Sequence, residues 1–144
     1  MNEDIHGELA DILLESGDHE QSIREYEKAF KLVKGKVKSN PKDASIYGDA
    51  SWYALFLGDF LVAQQYAKAG ISYDPKEYWI SCNLGHAYLL QGQKAKAITE
   101  YKYFINHSAE NPKDDIKEDF SLLKRRFVDK ISTMEMVENE LQIK

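Results

Sequence analysis

Two glycines, Gly58 and Gly92, lie 34 residues apart in the sequence, and the residues around each of them match in register. The same offset relates further pairs of equivalent residues: Pro41 with Pro75, Leu55 with Leu89, and Ala63 with Ala97. A period near 34 residues is the length of a helix-turn-helix repeat, in which each unit buries its apolar face by stacking on its neighbours. The spacing therefore predicts a chain built of helical hairpins.

Composition sets outer limits on this prediction. The chain has 144 residues, 43% of them hydrophobic, so it has the size of one domain and can supply a contiguous core. No run approaches the ~18 consecutive apolar residues of a membrane helix. A net charge of -5 argues against general affinity for nucleic acid. The single cysteine, Cys82, excludes an internal disulfide, and the amino terminus has no basic and apolar leader. We expect a cytoplasmic protein that binds neither membranes nor nucleic acid.

Apolar residues recur at steps of three and four on both sides of Gly17, Gly58 and Gly92, and strand patterns are almost absent. Glycine suits a turn between two helices because it adopts positive φ without steric cost. The prediction is therefore an all-α chain with one domain. Its hairpins are expected at about residues 3–43, 44–77 and 78–111, followed by capping helices at about residues 113–142.

The third hairpin carries the positions on which a family resemblance depends most: Leu84, Gly85, Tyr88, Gly92, Ala97 and Tyr101. The first hairpin matches at several of the same positions: Leu9, Ala10, Gly17, Tyr26 and Ala29. On these residues the chain resembles the tetratricopeptide repeat (TPR) family, whereas the middle hairpin departs from the pattern, with Ala54 in place of a tyrosine. The resemblance implies a TPR-like α-solenoid, a right-handed superhelix whose concave groove binds a protein or peptide.

The resemblance also implies that the first helix of each hairpin lines the groove. Seven residues at groove-facing positions are therefore the candidate peptide-binding or protein-binding residues: Asp11, Asp49, Trp52, Phe56, Trp79, Asn83 and His86. This set predicts a groove that is acidic at its amino-terminal end and aromatic in the middle. The two tryptophans are the expected energetic anchors, since large aromatic residues dominate interface hot spots. Gly7 and Gly48 are expected to leave room for a ligand beside the helices.

One activity in the TPR family is a clamp, in which lysines, an arginine and asparagines hold the acidic carboxyl-terminal tail of heat-shock chaperones. In this sequence Asn83 stands at a clamp-like position, but Gly7, Asp11 and Trp79 stand where basic or amide residues would be needed. A carboxylate entering the groove would also meet Asp49 without a cation to pair with. We therefore expect a basic or aromatic-rich peptide as the partner rather than an acidic tail.

The interval from Gly17 to Gly58 is 41 residues, seven more than the next interval. Seven residues are close to two helical turns and lengthen a helix by about 10 Å. We expect the second helix of the first hairpin to be longer by this amount and to project from the stack. The lysine-rich segment from Lys28 to Lys42 lies there, as a solvated face or as a site for an acidic partner.

Two amphipathic helices are predicted after Pro112. The first, from Ile116 to Phe127, has the apolar and polar faces that the terminal element of a repeat stack needs, so we expect it to close the open end. The last helix has two interpretations. It caps the chain intramolecularly, or it serves as a dimerisation or docking helix that exposes Ile131, Met134 and Val137.

The sequence contains no recognisable catalytic motif. Its four histidines show no metal-ligand spacing with a cysteine or carboxylate, and nothing around Cys82 marks a nucleophile. We predict a non-catalytic interaction module or scaffold, a monomer or weak homodimer, without a cofactor or metal. Two alternatives stay open. The chain is a repeat domain of a larger signalling or proteolytic protein, or it is a homo-oligomerisation module that acts through its last helix.

Overall fold

A computed structural model describes residues 3–144, which form eight α-helices and no strand. The first six helices make three hairpins, with bounds α1 Glu3–Glu15, α2 His19–Ser39, α3 Ala44–Phe56, α4 Phe60–Tyr73, α5 Tyr78–Leu90 and α6 Lys94–His107. Two more helices follow, α7 Pro112–Arg126 and α8 Ile131–Glu140, separated by a single 3₁₀ turn at Val128–Lys130. The all-α prediction is confirmed.

The three hairpins share one turn, in which the first helix ends at a glycine with positive φ: +92° at Gly17, +83° at Gly58 and +79° at Gly92. In each turn the N–H of the following residue donates to the carbonyl five residues earlier, at 2.9, 3.0 and 2.9 Å. A residue with a side chain would be strained in this left-handed conformation. The regular spacing of the glycines in the sequence therefore follows from the turn that each hairpin requires.

Small residues bring the helices of each hairpin close together. Ala54, Ala63 and Ala67 are fully buried between α3 and α4 and their neighbours. In the third hairpin the Tyr101 ring of α6 lies against Gly85 of α5, where an added Cβ would stand 2.7 Å from the ring. Interiors are packed at nearly crystalline density, so these positions have no room for larger side chains.

Helix α2 has 21 residues, seven more than the 14 residues of α4 and of α6. Its last buried residue is Val33, and the helix continues through Gly35 to Ser39 with exposed or half-buried side chains. The lysine-rich end of α2 therefore extends beyond the packed part of the stack. None of the helices in residues 3–144 combines the length and hydropathy needed to cross a membrane.

Helix α7 packs across the concave face of the stack, against the first helix of every hairpin. It contacts α1, its Asp119 bonds to His86 on α5, and its Arg126 Nε donates to the Phe56 carbonyl at the end of α3, at 2.8 Å. This position differs from the one expected from the sequence, which is the open end of the stack. The helix lies across the concave face because its apolar side packs there, with Phe120 fully buried against the rings of His86 on α5 and Tyr101 on α6.

Helix α8 folds back on α7, and its apolar face is used inside the chain. Met134 and Val137 are both 0% exposed, and Lys124 on α7 donates a hydrogen bond to Glu138 on α8. Of the residues proposed for a dimerisation face, these two therefore offer no surface to a second copy. The contacts agree with the intramolecular interpretation of this helix.

Candidate functional site

The concave face contains a cavity of about 300 Å³ between α3, α5, α6 and α7. Aromatic and carboxylate side chains make up most of its lining, which comprises Trp52, Trp79, Phe104, Asp49, Asp115, Glu118 and Asp119, together with Cys82 and Asn83. Four of the seven residues predicted from the sequence meet here: Asp49, Trp52, Trp79 and Asn83. Both tryptophans of the chain therefore border one cavity.

Trp79 is held at the edge of the cavity by the residue that precedes α5 and by a glycine of the preceding hairpin. Its indole Nε1 donates to Glu77 at 2.6 Å, and its ring covers Gly48, where an added Cβ would lie 2.3 Å from the indole. The space expected to admit a ligand at Gly48 is thus filled by Trp79, and the space at Gly7 is filled by the Tyr53 ring. Both glycines serve helix packing in this structure.

Asn83 forms part of the inner wall, with 4% of its surface exposed. Its Nδ2 donates to the Gly48 carbonyl at 3.2 Å and to Ser51 Oγ at 3.0 Å, both on α3. These bonds tie α5 to α3 across the groove. Because a buried amide that loses its partners is costly, this side chain fixes the spacing between the two helices.

The described residues that line the cavity include four carboxylates and neither lysine nor arginine. The charges around the cavity are therefore negative. Partial desolvation at the mouth of the cavity raises the pKa of the Asp115 carboxyl, and the charges of Asp119, Glu110 and Asp114 raise it further. Like charges held close together disfavour ionisation unless a cation joins them. The cavity is therefore electrostatically suited to a positively charged group.

Behind the cavity, three polar side chains meet where α7 crosses α5. His86 Nε2 lies 2.8 Å from Asp119 Oδ2 and 3.5 Å from Cys82 Sγ. The other ring nitrogen, Nδ1, lies 2.7 Å from the Tyr101 hydroxyl. His86 is 0% exposed, so this side chain, predicted as a direct peptide contact, offers no surface to a partner in this structure.

This cluster is not arranged as a hydrolytic relay. In a nucleophile-histidine-carboxylate triad the two partners use different ring nitrogens, whereas Cys82 and Asp119 both approach Nε2 of His86. Burial also raises the pKa of the Cys82 thiol well above its usual range, and the Asp119 charge adds to the increase. A thiol that stays protonated is a poor nucleophile.

The remaining predicted residues, Asp11 and Phe56, lie in the amino-terminal half of the concave face. Phe56 is fully buried and stacks on the Tyr26 ring at 4.7 Å. Asp11 accepts a hydrogen bond from the Tyr26 hydroxyl. Burial raises the pKa of Asp11 to about 6 in spite of that bond. With Arg126 bonded to the Phe56 carbonyl, this half is closed by packing.

Sequence reasoning missed the lining residues that α6 and α7 provide: Phe104, Asp115, Glu118 and Asp119. It also missed the cluster around His86, although one signal was available. Cys82 and His86 are four residues apart on α5, a spacing that places two side chains on one helix face. Nothing in the sequence pattern indicates that Asp119 joins them.

Stacked hairpins with a shared glycine turn and a concave face lined by first helices define the chain as an α-solenoid of helical repeats. A sequence model described as tetratricopeptide repeat matches residues 3–32 and 80–103, in the first and third hairpins. The middle hairpin, which departs from the family pattern, lies outside both matches. The first and third hairpins therefore match the tetratricopeptide repeat, and the fold is that of a TPR-like α-solenoid.

A solved structure with a similar fold is the first TPR of Spaghetti (RPAP3) bound to the HSP90 peptide SRMEEVD. The TM-score is 0.51 and the sequence identity is 13%, over 85% of this chain and 93% of that chain. At this identity the likeness concerns the fold. A search of curated proteins found no significant match.

Proposed function

We propose that this protein is a non-catalytic interaction module that binds a protein partner by taking a lysine or arginine side chain into the cavity between Trp52 and Trp79. The observation that carries the proposal is the lining itself, which combines three aromatic rings and four carboxylates. Aromatic faces and carboxylates both attract a cation, and the attraction strengthens when the site excludes water. The fold supports the general role, since the solved relative also holds a peptide.

The size of the cavity favours one inserted side chain over a whole small-molecule ligand. Its volume of about 300 Å³ lies at the lower limit of the ~300–1,000 Å³ found for drug-sized ligands. The remainder of a partner would then lie along the exposed rim, where Asp115 and Glu118 of α7 are exposed. This arrangement fits a short basic segment of a protein.

An acidic tail fits the cavity poorly. The peptide bound to the RPAP3 domain, SRMEEVD, carries three acidic residues in its last four positions. In this chain, such a peptide would place carboxylates beside Asp49, Asp115 and Glu118, with no lysine or arginine among the described lining residues. Like charges brought together across an interface cost several kcal/mol, on the order of 2–4, so we expect no binding of that tail.

The test uses short synthetic peptides without tryptophan, which carry a central lysine, arginine or glutamate between varied neutral residues. Both tryptophans border the cavity, so intrinsic fluorescence reports its occupation directly. We expect peptides with lysine or arginine to change the emission and the glutamate peptides to leave it unchanged. The affinity of the basic peptides should fall as salt is added, because the carboxylates at the rim are screened.

The matched variants separate the cavity from the rest of the acidic surface. Asp115→Asn combined with Glu118→Gln should weaken binding of the basic peptides about tenfold, a loss of ~1.4 kcal/mol. The neighbouring exposed residue Asp114 does not line the cavity, so Asp114→Asn is the control and should bind as the wild type does. Equal binding of lysine and glutamate peptides, or no binding of either, would overturn the proposal.

The cytoplasmic location expected from the sequence stays a prediction, as does the possibility that the chain is a recruiting domain of a larger protein. The peptide experiment depends on neither, because the residues that line the cavity fall within residues 49–119. A partner identified by its basic segment would then indicate the process that the module serves.

A further inference from the structure

Three side chains of different chemistry converge at the inner wall of the cavity, on two helices that are far apart in sequence. Cys82 and His86 belong to α5 and Asp119 belongs to α7. Their donor atoms, Sγ, Nε2 and Oδ2, are separated by 3.5, 2.8 and 3.7 Å. Each residue type is a metal ligand, and all three donor atoms lie within 4.8 Å of one another.

The separations are close to those around one tetrahedral ion. With metal–ligand distances of about 2.3 Å to sulfur and ~2.0–2.2 Å to nitrogen and oxygen, tetrahedral angles place sulfur roughly 3.5 Å from each of the other two donors. The observed separations from Cys82 Sγ are 3.5 and 3.7 Å. The distance between His86 Nε2 and Asp119 Oδ2, 2.8 Å, must widen by about half an ångström to reach the tetrahedral value. Asp119 has the freedom to do so, because 28% of its side chain is exposed.

Cys82 and Asp119 both contact the same ring nitrogen of His86. Cys82 approaches Nε2 from α5 and Asp119 approaches it from α7, so an ion bound to Nε2 would lie within reach of both. On the far side of the ring, Nδ1 lies 2.7 Å from the Tyr101 hydroxyl. A metal-binding histidine usually has a partner for its second nitrogen, which fixes the tautomer and the orientation of the ring. With an ion on Nε2, the proton of the neutral ring would lie on Nδ1, and the Tyr101 hydroxyl oxygen would accept it.

Packing holds the histidine in this orientation. The His86 ring lies among the rings of Tyr101 at 5.4 Å, Phe120 at 5.6 Å and Trp52 at 6.3 Å. A preformed ligand geometry on rigid helices lowers the cost of binding. Cys82 and Asp119 also line the cavity, which gives an ion a route from solvent and a free position for a fourth ligand.

We propose that Cys82, His86 and Asp119 form a three-ligand zinc site whose fourth position faces the cavity. A set of one thiolate, one imidazole and one carboxylate suits zinc among the common divalent ions. Binding releases the thiol proton to solvent, and the two anionic ligands balance the charge of the ion. Because two ligands lie on α5 and one on α7, the ion would fasten α7 into the groove. The exposed carboxylates at the rim, Asp115 and Glu118, are not ligands of the ion.

The experiment uses the full chain after treatment with a chelator, titrated with Zn²⁺ and, in parallel, with Co²⁺ as a spectroscopic probe. We expect one equivalent of either metal to bind, a thiolate-to-cobalt charge-transfer band in the near ultraviolet, and a higher thermal midpoint with excess zinc. Cys82→Ser should abolish the band. Cys82→Ser and Asp119→Asn should each weaken zinc binding at least about 100-fold, beyond the ~10–100-fold typical of outer-shell changes.

Asp114→Asn is the matched control, since Asp114 is exposed on the first turn of α7 and belongs neither to the cavity lining nor to the cluster. This variant should bind zinc as the wild type does. If the Cys82 or Asp119 variants fail to fold, zinc-edge X-ray absorption of the wild-type protein decides the question. One sulfur at about 2.3 Å among nitrogen and oxygen ligands supports the site.

Two results would overturn the proposal. One is a wild-type protein that binds zinc no more tightly than the Cys82→Ser variant, in which case the three side chains form a hydrogen-bonded network only. The other is a metal environment without sulfur. The measurements involve no peptide, so failure of the zinc site leaves the proposed binding of a basic segment intact, and the reverse also holds.

Discussion

The two halves of the concave face are built from the same kind of helix but reach opposite states. In the amino-terminal half, Tyr26 donates to Asp11 and Arg126 donates to the Phe56 carbonyl, so this half is closed by packing.

 

In the carboxyl-terminal half, Asp49, Asp115 and Glu118 surround an open cavity instead. Helix α7 produces both states. Its first turn is acidic and its last turn basic, with Lys124, Arg125 and Arg126, which is the order that favours an isolated helix through its dipole. One helix that lies across the groove therefore closes the half that meets its basic end and leaves an acidic cavity at the other.

The largest expected effect concerns the residue that holds α7 between the two halves. Phe120 is fully buried, with its ring centroid 5.6 Å from His86 and 5.7 Å from Tyr101. Phe120→Ala should lower the free energy of unfolding by about 3–5 kcal/mol, because it removes buried surface and leaves a void. Urea denaturation measures the loss, with the exposed neighbour Ser121→Ala as control. A loss below about 1 kcal/mol would mean that α7 is not docked on the concave face in solution, so that it could not produce the two states.

The closed half should show its own dependence on pH. Burial raises the pKa of Asp11 to about 6, with Glu15 and Asp119 adding to the increase and Tyr26 and Trp52 opposing it. An unfolded aspartate has a pKa of about 3.9, so the folded state binds this proton more tightly. The contribution to stability is therefore full below about pH 4 and is lost as the pH rises through about 6, by at most ~3 kcal/mol.

Asp11→Asn tests this dependence, because the amide oxygen still accepts from Tyr26 but carries no charge. Relative to the wild type, the variant should gain stability at pH 7 and lose most of that advantage at pH 4. Urea unfolding at several pH values measures both, with the exposed Asp114→Asn as control. If the free energy of unfolding of the variant depends on pH as steeply as that of the wild type, groups other than Asp11 cause the dependence.

Arg126 tests how the amino-terminal half is sealed. Its Nε donates to the Phe56 carbonyl at 2.8 Å, and its guanidinium lies 4.7 Å from the Phe127 ring centroid. Arg126→Met keeps much of the apolar contact and removes the charged donor, so we expect a loss of about 2 kcal/mol. Thermal and urea unfolding measure it. Arg125→Met, at the exposed neighbouring position, should change stability by no more than about 0.5 kcal/mol.

The smallest effect on stability is expected at the open half, where the Trp79 ring packs against Gly48. Gly48→Ala places a Cβ 2.3 Å from the indole, so the ring must move. Because Trp79 is half-exposed and can swing outward, we expect a cost of about 1 kcal/mol, near the lower end for overpacking. Tryptophan emission should shift to the red. Gly35→Ala is the control, since its added Cβ meets nothing within 4 Å, and it should stabilise α2 by roughly 0.5–1 kcal/mol.

The hairpins could be predicted from the sequence because their turns have a strict local requirement. A glycine with positive φ ends the first helix of each hairpin, so the spacing of Gly17, Gly58 and Gly92 fixes the helices and their register. Trp52 and Trp79 follow from that register, and the structure places both at one cavity. Whether they contact a partner stays a prediction.

The position of α7 could not be predicted in the same way. The spacing of Ile116, Phe120 and Leu123 predicts a helix with one apolar face, but a periodic pattern does not specify the surface on which that face packs. The closed half, the acidic rim and the cluster around His86 all depend on this long-range contact. For the same reason, the sequence offered no indication that Asp119 lies beside Cys82.

The contact between α7 and α1 also changes how the repeats share their stability. In an ordinary repeat stack each unit interacts with its nearest neighbours, so the ends can fray one unit at a time. Here a helix that follows the third hairpin in the chain rests on the first hairpin as well. Opening either end of the stack must therefore detach α7, and the solenoid should unfold as one cooperative unit instead of unravelling from its termini.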